Sequence, residues 1–512
     1  MHTAPVLKIM ATGHIAASSP GEHRGLTYWM ERVLKDLELV RAAPEAEAVH
    51  DLRVAIRRCR SVAAVLEEAD PSPAWPQMRK LPRKLFRDLG GLRDVQVLAD
   101  WTRQLSAESD PIRERLLADL SMRESELREE VVRVAAKFDQ KAWRKLESAL
   151  RARARLAPAN GLAAECLALE RLEAAKELHS IALRTTKPQP WHTLRIGVKR
   201  FRYTVESLLP ARCEEWGSDL KQMQDLLGEV HDLDVLADAI QKLGVAGFDG
   251  SRQAWAERIA IERNNRLESY RQLTLGRANL WQAWRQSLPS GRRLEAAGLS
   301  RLRVTVRALD RNPRRSGQVF ELAMRLYDEL GKVRAAAVFR AVHVRRIMRA
   351  ASRVHGIGSG LDSKRPQKAA RDFLLKMPLP AGWTEEEWQL AAMIVRYHRG
   401  AEPQIKRKGF STLGEEERTI VFACSGVLRL ARVLRKCGVE SSVGIKMEKS
   451  VDALIVRIPG LPDTEETAAE IGAGKHLLEM SIGCPLLLKA VAAMNNVVEL
   501  PQRTALSAVA SD

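Results

Sequence analysis

Val49-His50-Asp51-Leu52-Arg53-Val54-Ala55-Ile56-Arg57-Arg58-Cys59-Arg60 is matched later in the chain by Trp191-His192-Thr193-Leu194-Arg195-Ile196-Gly197-Val198-Lys199-Arg200-Phe201-Arg202. At about 100° per residue, with His50 set to zero, Arg53, Arg57 and Arg60 fall at about 300°, 340° and 280°, sharing an arc of about 80° with His50. Leu52, Ile56, Cys59, Ala63 and Leu66 cluster at about 160° to 240°, while Arg58 lies on the other flank, at about 80°. One helix thus carries a core stripe and, beside it, a stripe of cations with no acid among them. The later copy repeats the layout: His192, Arg195, Lys199 and Arg202 on the basic arc, Leu194, Val198, Phe201, Val205 and Leu208 on the apolar one.

A second pair of blocks follows in the same order. Leu89-Gly90-Gly91-Leu92-Arg93-Asp94-Val95-Gln96-Val97-Leu98-Ala99-Asp100 matches Leu227-Gly228-Glu229-Val230-His231-Asp232-Leu233-Asp234-Val235-Leu236-Ala237-Asp238. Two blocks repeated in register point to a duplicated helical unit packed as one pseudo-symmetric domain. From about residue 25 to about 290 the chain is rich in Ala, Leu, Glu, Arg and Lys at helical spacing, with halves of about 25–155 and 165–290. Pro73, Pro76 and Pro82 break the first helical run, and Pro188 and Pro190 open the second.

Like charges at i,i+4 destabilise a helix slightly, so an all-cation stripe calls for an anion against it. The competing reading is a solvated face that happens to be basic, and its recurrence at matched positions weakens it. A guanidinium fork fits phosphate oxygens bidentately, and lysine adds point charge. His50 and His192 can donate to a phosphate, or serve as hydrogen-bonded structural histidines. Lys80, Lys84 and Arg93, with Lys221 and His231, extend the positive surface; Arg93-Asp94 and His231-Asp232 can equally be structural pairs.

Composition agrees. The 512 residues hold 83 Lys+Arg against 64 Asp+Glu, a formal charge of +19, which draws polyanions from a distance. Aromatic content of 5% disfavours a binder that stacks single-strand bases. The cysteines at 59, 166, 213, 424, 437 and 484 form no C-x-x-C, which argues against zinc ribbons and for reduced thiols. The first ~20 residues read as a loose tail without an apolar signal segment, and no uncharged apolar run is long enough to span a bilayer. The expectation is a cytoplasmic protein without a membrane partner, metal or cofactor.

After about residue 300 helical patterns continue to about Cys437. Val443-Gly444-Ile445-Lys446-Met447 and Ala453-Leu454-Ile455-Val456-Arg457-Ile458-Pro459 then read as short strands, and the stretch from 501 to 512 as a tail.

The duplicated blocks resemble the CHAD family, the conserved histidine α-helical domain. Its pattern is His-x-x-Arg-Val and a basic cluster, present twice, each followed by Leu-Gly…Asp-x-x-Val. Here these are His50, Arg53, Val54, Arg57, Arg58 and Arg60, then His192, Arg195, Ile196, Lys199, Arg200 and Arg202. Phe201-Arg202-Tyr203 and Leu220-Lys221-Gln222-Met223-Gln224-Asp225-Leu226-Leu227-Gly228 are similar as well. Cys59 and Ile196 are small departures, from leucine and valine. The resemblance implies two pseudo-symmetric four-helix bundles whose basic helices line a shared groove. It also implies inorganic polyphosphate as ligand, Arg200 and Tyr203 among its contacts, and association with polyphosphate granules and their proteins in bacteria.

Residues of about 300–500 resemble the C-terminal domain of exopolyphosphatase and guanosine pentaphosphate phosphatase, itself related to HD-type hydrolases. The carriers are Val354-His355-Gly356-Ile357-Gly358, Leu390-Ala391-Ala392-Met393-Ile394-Val395-Arg396-Tyr397-His398-Arg399 and Arg429-Leu430-Ala431. Catalysis in those phosphatases lies in preceding actin-like domains, whose glycine-rich strands are not found before this region. An HD hydrolase needs a His-Asp pair for a divalent metal. Here Gly356 follows His355, Arg315 stands where a ligand histidine is expected, and Lys368 is near another such place. Asp362 and Asp372 are candidate substitutes, and Lys406-Arg407-Lys408 is a phosphate contact or a solvated loop.

The expected fold is therefore mainly α: two pseudo-symmetric helical bundles, then an α-rich HD-like domain ending in a small α+β part. The expected function is non-enzymatic polyphosphate binding. A metal-dependent phosphohydrolase acting on polyphosphate or a phosphorylated nucleotide, and a nucleic-acid binder, remain the alternatives.

Overall fold

The structure is a computed structural model that describes residues 25–491 apart from 69, 157, 244–248, 334–336 and 406–409. Both expected tails and Lys406-Arg407-Lys408 lie outside the described residues. The chain divides into two compact units, one up to Ala308 with Pro380–Gly382, the other Leu309–Leu379 with the residues from Trp383 onward.

The first half of unit 1 comprises α1 (Leu26–Ala42), α2 (Ala46–Leu66), α3 (Ala74–Lys80), α4 (Arg83–Leu105), α5 (Pro111–Ala136) and α6 (Gln140–Ala154). Its second half comprises α7 (Leu162–Ala182), α8 (Pro188–Leu208), α9 (Pro210–Lys242), α10 (Asp249–Thr274), α11 (Leu280–Ser287) and α12 (Gly291–Leu309). The two proline signals act where their chemistry allows. Pro188 and Pro190 sit at the start of α8, where a missing N–H breaks no helical bond, and Pro82 immediately precedes α4.

Neighbours repeat between the halves: α1 packs on α2 and α4 on α5, as α7 packs on α8 and α9 on α10. The halves meet where α2 touches α8 and α4 touches α9. Leu52, Ile56, Cys59, Ala63 and Leu66 are buried, as are Leu194, Val198, Phe201, Val205 and Leu208. Each such Leu, Ile or Phe contributes roughly 1.5–3 kcal/mol, so the stripes fix how α2 and α8 are rotated. One continuous core runs through both halves, including Trp75, Trp143, Trp191, Trp281 and Trp284. A second cluster, with Trp101 and Trp255, joins the distal ends of α4 and α9 to α5 and α10.

Unit 2 is helical and closes in a small sheet. Its helices are α13 (Pro313–Lys332), α14 (Val342–Val354), α15 (Gly358–Leu361), α16 (Pro366–Lys376), α17 (Glu385–Tyr397), α18 (Glu415–Lys436) and α19 (Glu465–Ile482), with a 3-10 turn at Ala337–Arg340. The strands are β1 (Lys446–Lys449), β2 (Leu454–Pro459) and β3 (Leu486–Val491). β2 follows the sequence reading closely, whereas β1 begins only at Lys446, with Val443-Gly444-Ile445 outside the strand. β1 pairs antiparallel with β2, which pairs in parallel with β3 across the α19 crossover. β3 was hidden in a short run, Leu486-Leu487-Leu488, just after Gly483 ends α19 in the left-handed conformation, φ 68°.

α18 and α19 approach through glycine. A Cβ on Gly426 would lie 2.7 Å from the Leu478 backbone nitrogen, and one on Gly474 would lie 2.7 Å from a Val433 methyl. Gly426→Val is therefore expected to destabilise unit 2 by about 3 kcal/mol. Hydrogen–deuterium exchange on the full chain should show α18 and α19 losing protection; unchanged protection there would refute the close approach.

Candidate functional site

Burial of the apolar stripes decides where the cations go. With Leu52, Ile56 and Cys59 in the core, Arg53 and Arg57 are held half-buried on the flank of α2. With Leu194 and Val198 in the core, Arg195 and Lys199 take the same place on α8. Because α2 touches α8, the two groups share one electrostatic environment: Lys199 feels Arg195, Arg57 and Arg53. The Arg57 guanidinium lies 5.6 Å from the centre of the Tyr203 ring, and that of Arg53 lies 6.0 Å from the centre of Phe86.

These cations are not neutralised. Among the described residues, Arg53, Arg57, Arg93, Arg195, Lys199 and Arg200 make no ion pair. Nε of Arg53, Nε of Arg57 and the Tyr203 hydroxyl are buried with no hydrogen-bond partner. A buried donor without an acceptor costs roughly 1–3 kcal/mol, and more when charged. Burial, reinforced by Arg195, Arg57 and Arg53 and opposed by Asp94, pushes the Lys199 amine down to about 7. Burial likewise lowers Arg53 and Arg57 from the usual arginine value.

α4 and α9 supply the rest. Arg93 bears on His50 and Arg53, and Asp94 bears on Arg53 and Lys199. Asp232 is raised to about 6, by burial first, while Arg195 pulls it down and Asp94 and Glu229 push it up. His192 Nδ1 lies 3.1 Å from His231 Nδ1, so one ring donates and the other accepts. His231 falls to about 4 through burial, with Arg195, His192 and Lys199 adding to it. Burial, then Arg57, lowers His50; burial, then Arg195, lowers His192. Arg93-Asp94 and His231-Asp232 are thus not closed pairs: both carboxylates bear on cations of neighbouring helices. Their importance was visible only in the alignment of Asp94 with Asp232 between the repeats.

The other candidates from the sequence differ in their surroundings. Arg58 pairs with Glu206, and Arg202 binds the same carboxylate at 2.8 Å. Arg60 donates to the Arg79 carbonyl and lies 4.9 Å from the Phe86 ring centre. Lys84 pairs with Glu130 at 2.8 Å and Lys221 with Asp225 at 2.6 Å. Lys80 lines a separate pocket beside Ala74, Gln77 and Ala142, and Arg200 is exposed. The acids that engage four of these cations were present in the sequence, but only the tertiary fold or the i,i+4 register puts them within reach.

Unit 2 packs the two histidines of the HD-like segment into its interior. His355 and His398 are buried, their ring centres 5.5 Å apart, with Nδ1 atoms 2.7 Å from Ser352 O and 2.5 Å from Val395 O. Burial pushes His355 down to about 4 and His398 well below the usual histidine value. Asp362 accepts from the Lys364 and Arg365 backbone N–H groups, and Asp372 pairs with Arg371. Neither substitutes for a carboxylate at position 356. The acid beside His355 is Asp310, absent from the sequence reading: a Cβ on Gly356 would run into Asp310 Oδ2 and Ser316 Oγ. Among the described residues no group of three His, Cys, Asp or Glu side chains could hold a metal ion, and no helix is long and apolar enough to cross a membrane.

Two protein-family models match. The CHAD domain matches residues 26–241, and Ppx/GppA phosphatase, domain III, matches residues 305–456. The first match ends within α9, although the core it shares continues to Val304. No curated protein matches the chain. With its basic helices paired inside the first match and the His355–His398 segment inside the second, the chain carries a CHAD domain followed by domain III of the Ppx/GppA phosphatases.

Proposed function

We propose that the protein binds inorganic polyphosphate without hydrolysing it, in the cluster formed by α2 and α8 with α4 and α9, as a granule-associated or regulatory protein. The observation that carries this reading is the set Arg53, Arg57, Arg195 and Lys199, partly buried and without an ion pair among the described residues. Tyr203, His50, His192 and His231 border it and offer further donors. A flexible phosphate chain is thin enough to follow helices packed at roughly 8–10 Å. A duplex about 20 Å across meets only their outer surface.

A competition titration tests this. Long-chain polyphosphate is expected to displace duplex DNA of equal total charge, and DNA is expected not to displace polyphosphate. Equal competition per unit charge would leave only nonspecific basicity and favour the nucleic-acid reading.

The phosphohydrolase reading draws on the domain III match and on His355, His398 and Asp310. That match covers a domain that is not catalytic in the phosphatases. The expected result is no phosphate release from polyphosphate or guanosine pentaphosphate with Mg²⁺ or Mn²⁺. Release that His355→Ala abolishes would make the protein an enzyme.

A further inference from the structure

Unit 2 holds a second concentration of cations, which the reading of unit 1 does not use. Arg314 and Arg315 on the first turn of α13 face Arg435 and Lys436 on the last turn of α18 across a pocket of about 480 Å³, completed by Asn312 and Gln318. Among the described residues no carboxylate lines it. Arg314 and Arg315 are exposed and make no ion pair among the described residues. Arg435 Nε donates to Gln318 Oε1 at 2.6 Å, which fixes one guanidinium at the wall. Lys436 pairs with Glu470 at 2.6 Å.

Positive charge continues beyond the residues that line the pocket. Arg432, one turn before Arg435, is pushed down to about 10 by burial, with Arg399, Arg315 and Arg429 adding to it. Its Nη1 donates to the His398 carbonyl at 3.3 Å, a neutral acceptor that leaves its charge uncompensated. Arg314 and Arg315 also occupy the positive end of a 20-residue helix, where carboxylates are normally favoured. Helix dipole, lining arginines and Arg432 therefore repel one another, and an anion in the pocket would relieve that repulsion.

The lining also selects a ligand class. Pockets for drug-sized organic molecules are mostly apolar with a few polar groups. This pocket has no aromatic ring and no aliphatic side chain to hold a base or sugar. We propose that it is a second anion site, taking a short inorganic phosphoanhydride such as pyrophosphate or tripolyphosphate, separate from the polyphosphate cluster of unit 1.

Calorimetric titration of the full chain with tripolyphosphate tests it, using R314A/R315A and, for the opposite wall, R435Q. Arg314 and Arg315 have no ion pair among the described residues, so R314A/R315A breaks none of those the structure describes; circular dichroism checks each fold. Wild type is expected to show two classes of site. R314A/R315A and R435Q should each weaken one class by on the order of tenfold or more, as loss of a guanidinium–phosphate bond requires. Long-chain polyphosphate binding should persist in both variants. A tripolyphosphate isotherm unchanged in R314A/R315A would overturn the site. ATP binding there more tightly than tripolyphosphate would overturn the ligand class. The R57M/K199M variant should keep this class of site, so failure of the unit 1 reading registers separately, as unchanged long-chain affinity in that variant.

Discussion

Replacing Arg57 and Lys199 together by methionine is expected to weaken polyphosphate binding by two to four orders of magnitude and, in the free protein, to raise the melting temperature. Hydrogen bonds to charged groups contribute about 1.5–3 kcal/mol each, so removing two such donors amounts to roughly 3–6 kcal/mol. The salt dependence should flatten as well, by about 0.7 in the logarithmic slope for each phosphate no longer neutralised, if the chain releases counterions as a single strand does. The stability gain follows from the unpaired state of these groups: Arg57 Nε has no acceptor, and Lys199 lies among Arg195, Arg57 and Arg53. Apolar replacement of buried charge is often neutral or stabilising by about 1–4 kcal/mol. Fluorimetric titration at several salt concentrations, paired with thermal melts, reads both effects. Unchanged affinity and slope would remove the cluster from the site. Weaker binding accompanied by a lower melting temperature would assign the pair a structural role.

The second large effect is a loss of affinity at alkaline pH. In the free protein the Lys199 amine titrates at about 7. A bound polyanion favours the charged form and returns it toward the ordinary lysine value near 10.4. Binding therefore takes up a proton between those values, and affinity should fall by up to about tenfold per pH unit from about 7 to 10. Folding runs the other way. Lys199 has a folded-state value below its unfolded one, so the unfolded chain holds more protons in that window and the free protein gains stability as pH rises. Affinity and stability are expected to move in opposite directions across the same range. Lys199→Arg keeps a permanent charge and should bind with no alkaline fall. An alkaline fall equally steep in K199R would assign it to another group.

Much of the unit 1 arrangement could be read from the chain because it rests on local periodicity. The 3.6-residue repeat places Arg53 and Arg57 beside a core stripe whatever the stripe packs against, and the duplication doubles that constraint. Pro188 marks a helix start for an equally local reason. What was not legible depends on partners distant in sequence. Arg58 looked like a free cation until the fold brought Glu206 to it, and Lys84 until it met Glu130. Arg202 and Lys221 had acids at i+4 all along, Glu206 and Asp225, outside the window of the basic motif. Asp310 could not be found from the His355-Gly356 segment, because it reaches that place from the turn between α12 and α13. β3 rests on the parallel partner β2, to which a sequence run alone does not point.

The single core shared by both halves of unit 1 has a consequence for synthesis on the ribosome. α2 ends at Leu66 and α8 begins at Pro188, and at roughly 5–20 residues per second the second helix emerges on the order of ten seconds after the first. Until then the side of α2 that α8 will cover stays open to the medium, its arginines beside uncovered aliphatic surface. The nascent first half is therefore a cationic, adhesive chain beside a polyanion, the RNA of the ribosomal surface. A polyanion that engages only the closed pair of helices selects the finished molecule and shifts the balance toward it by mass action. The ligand would thus act as the last participant in folding as well as the first in function.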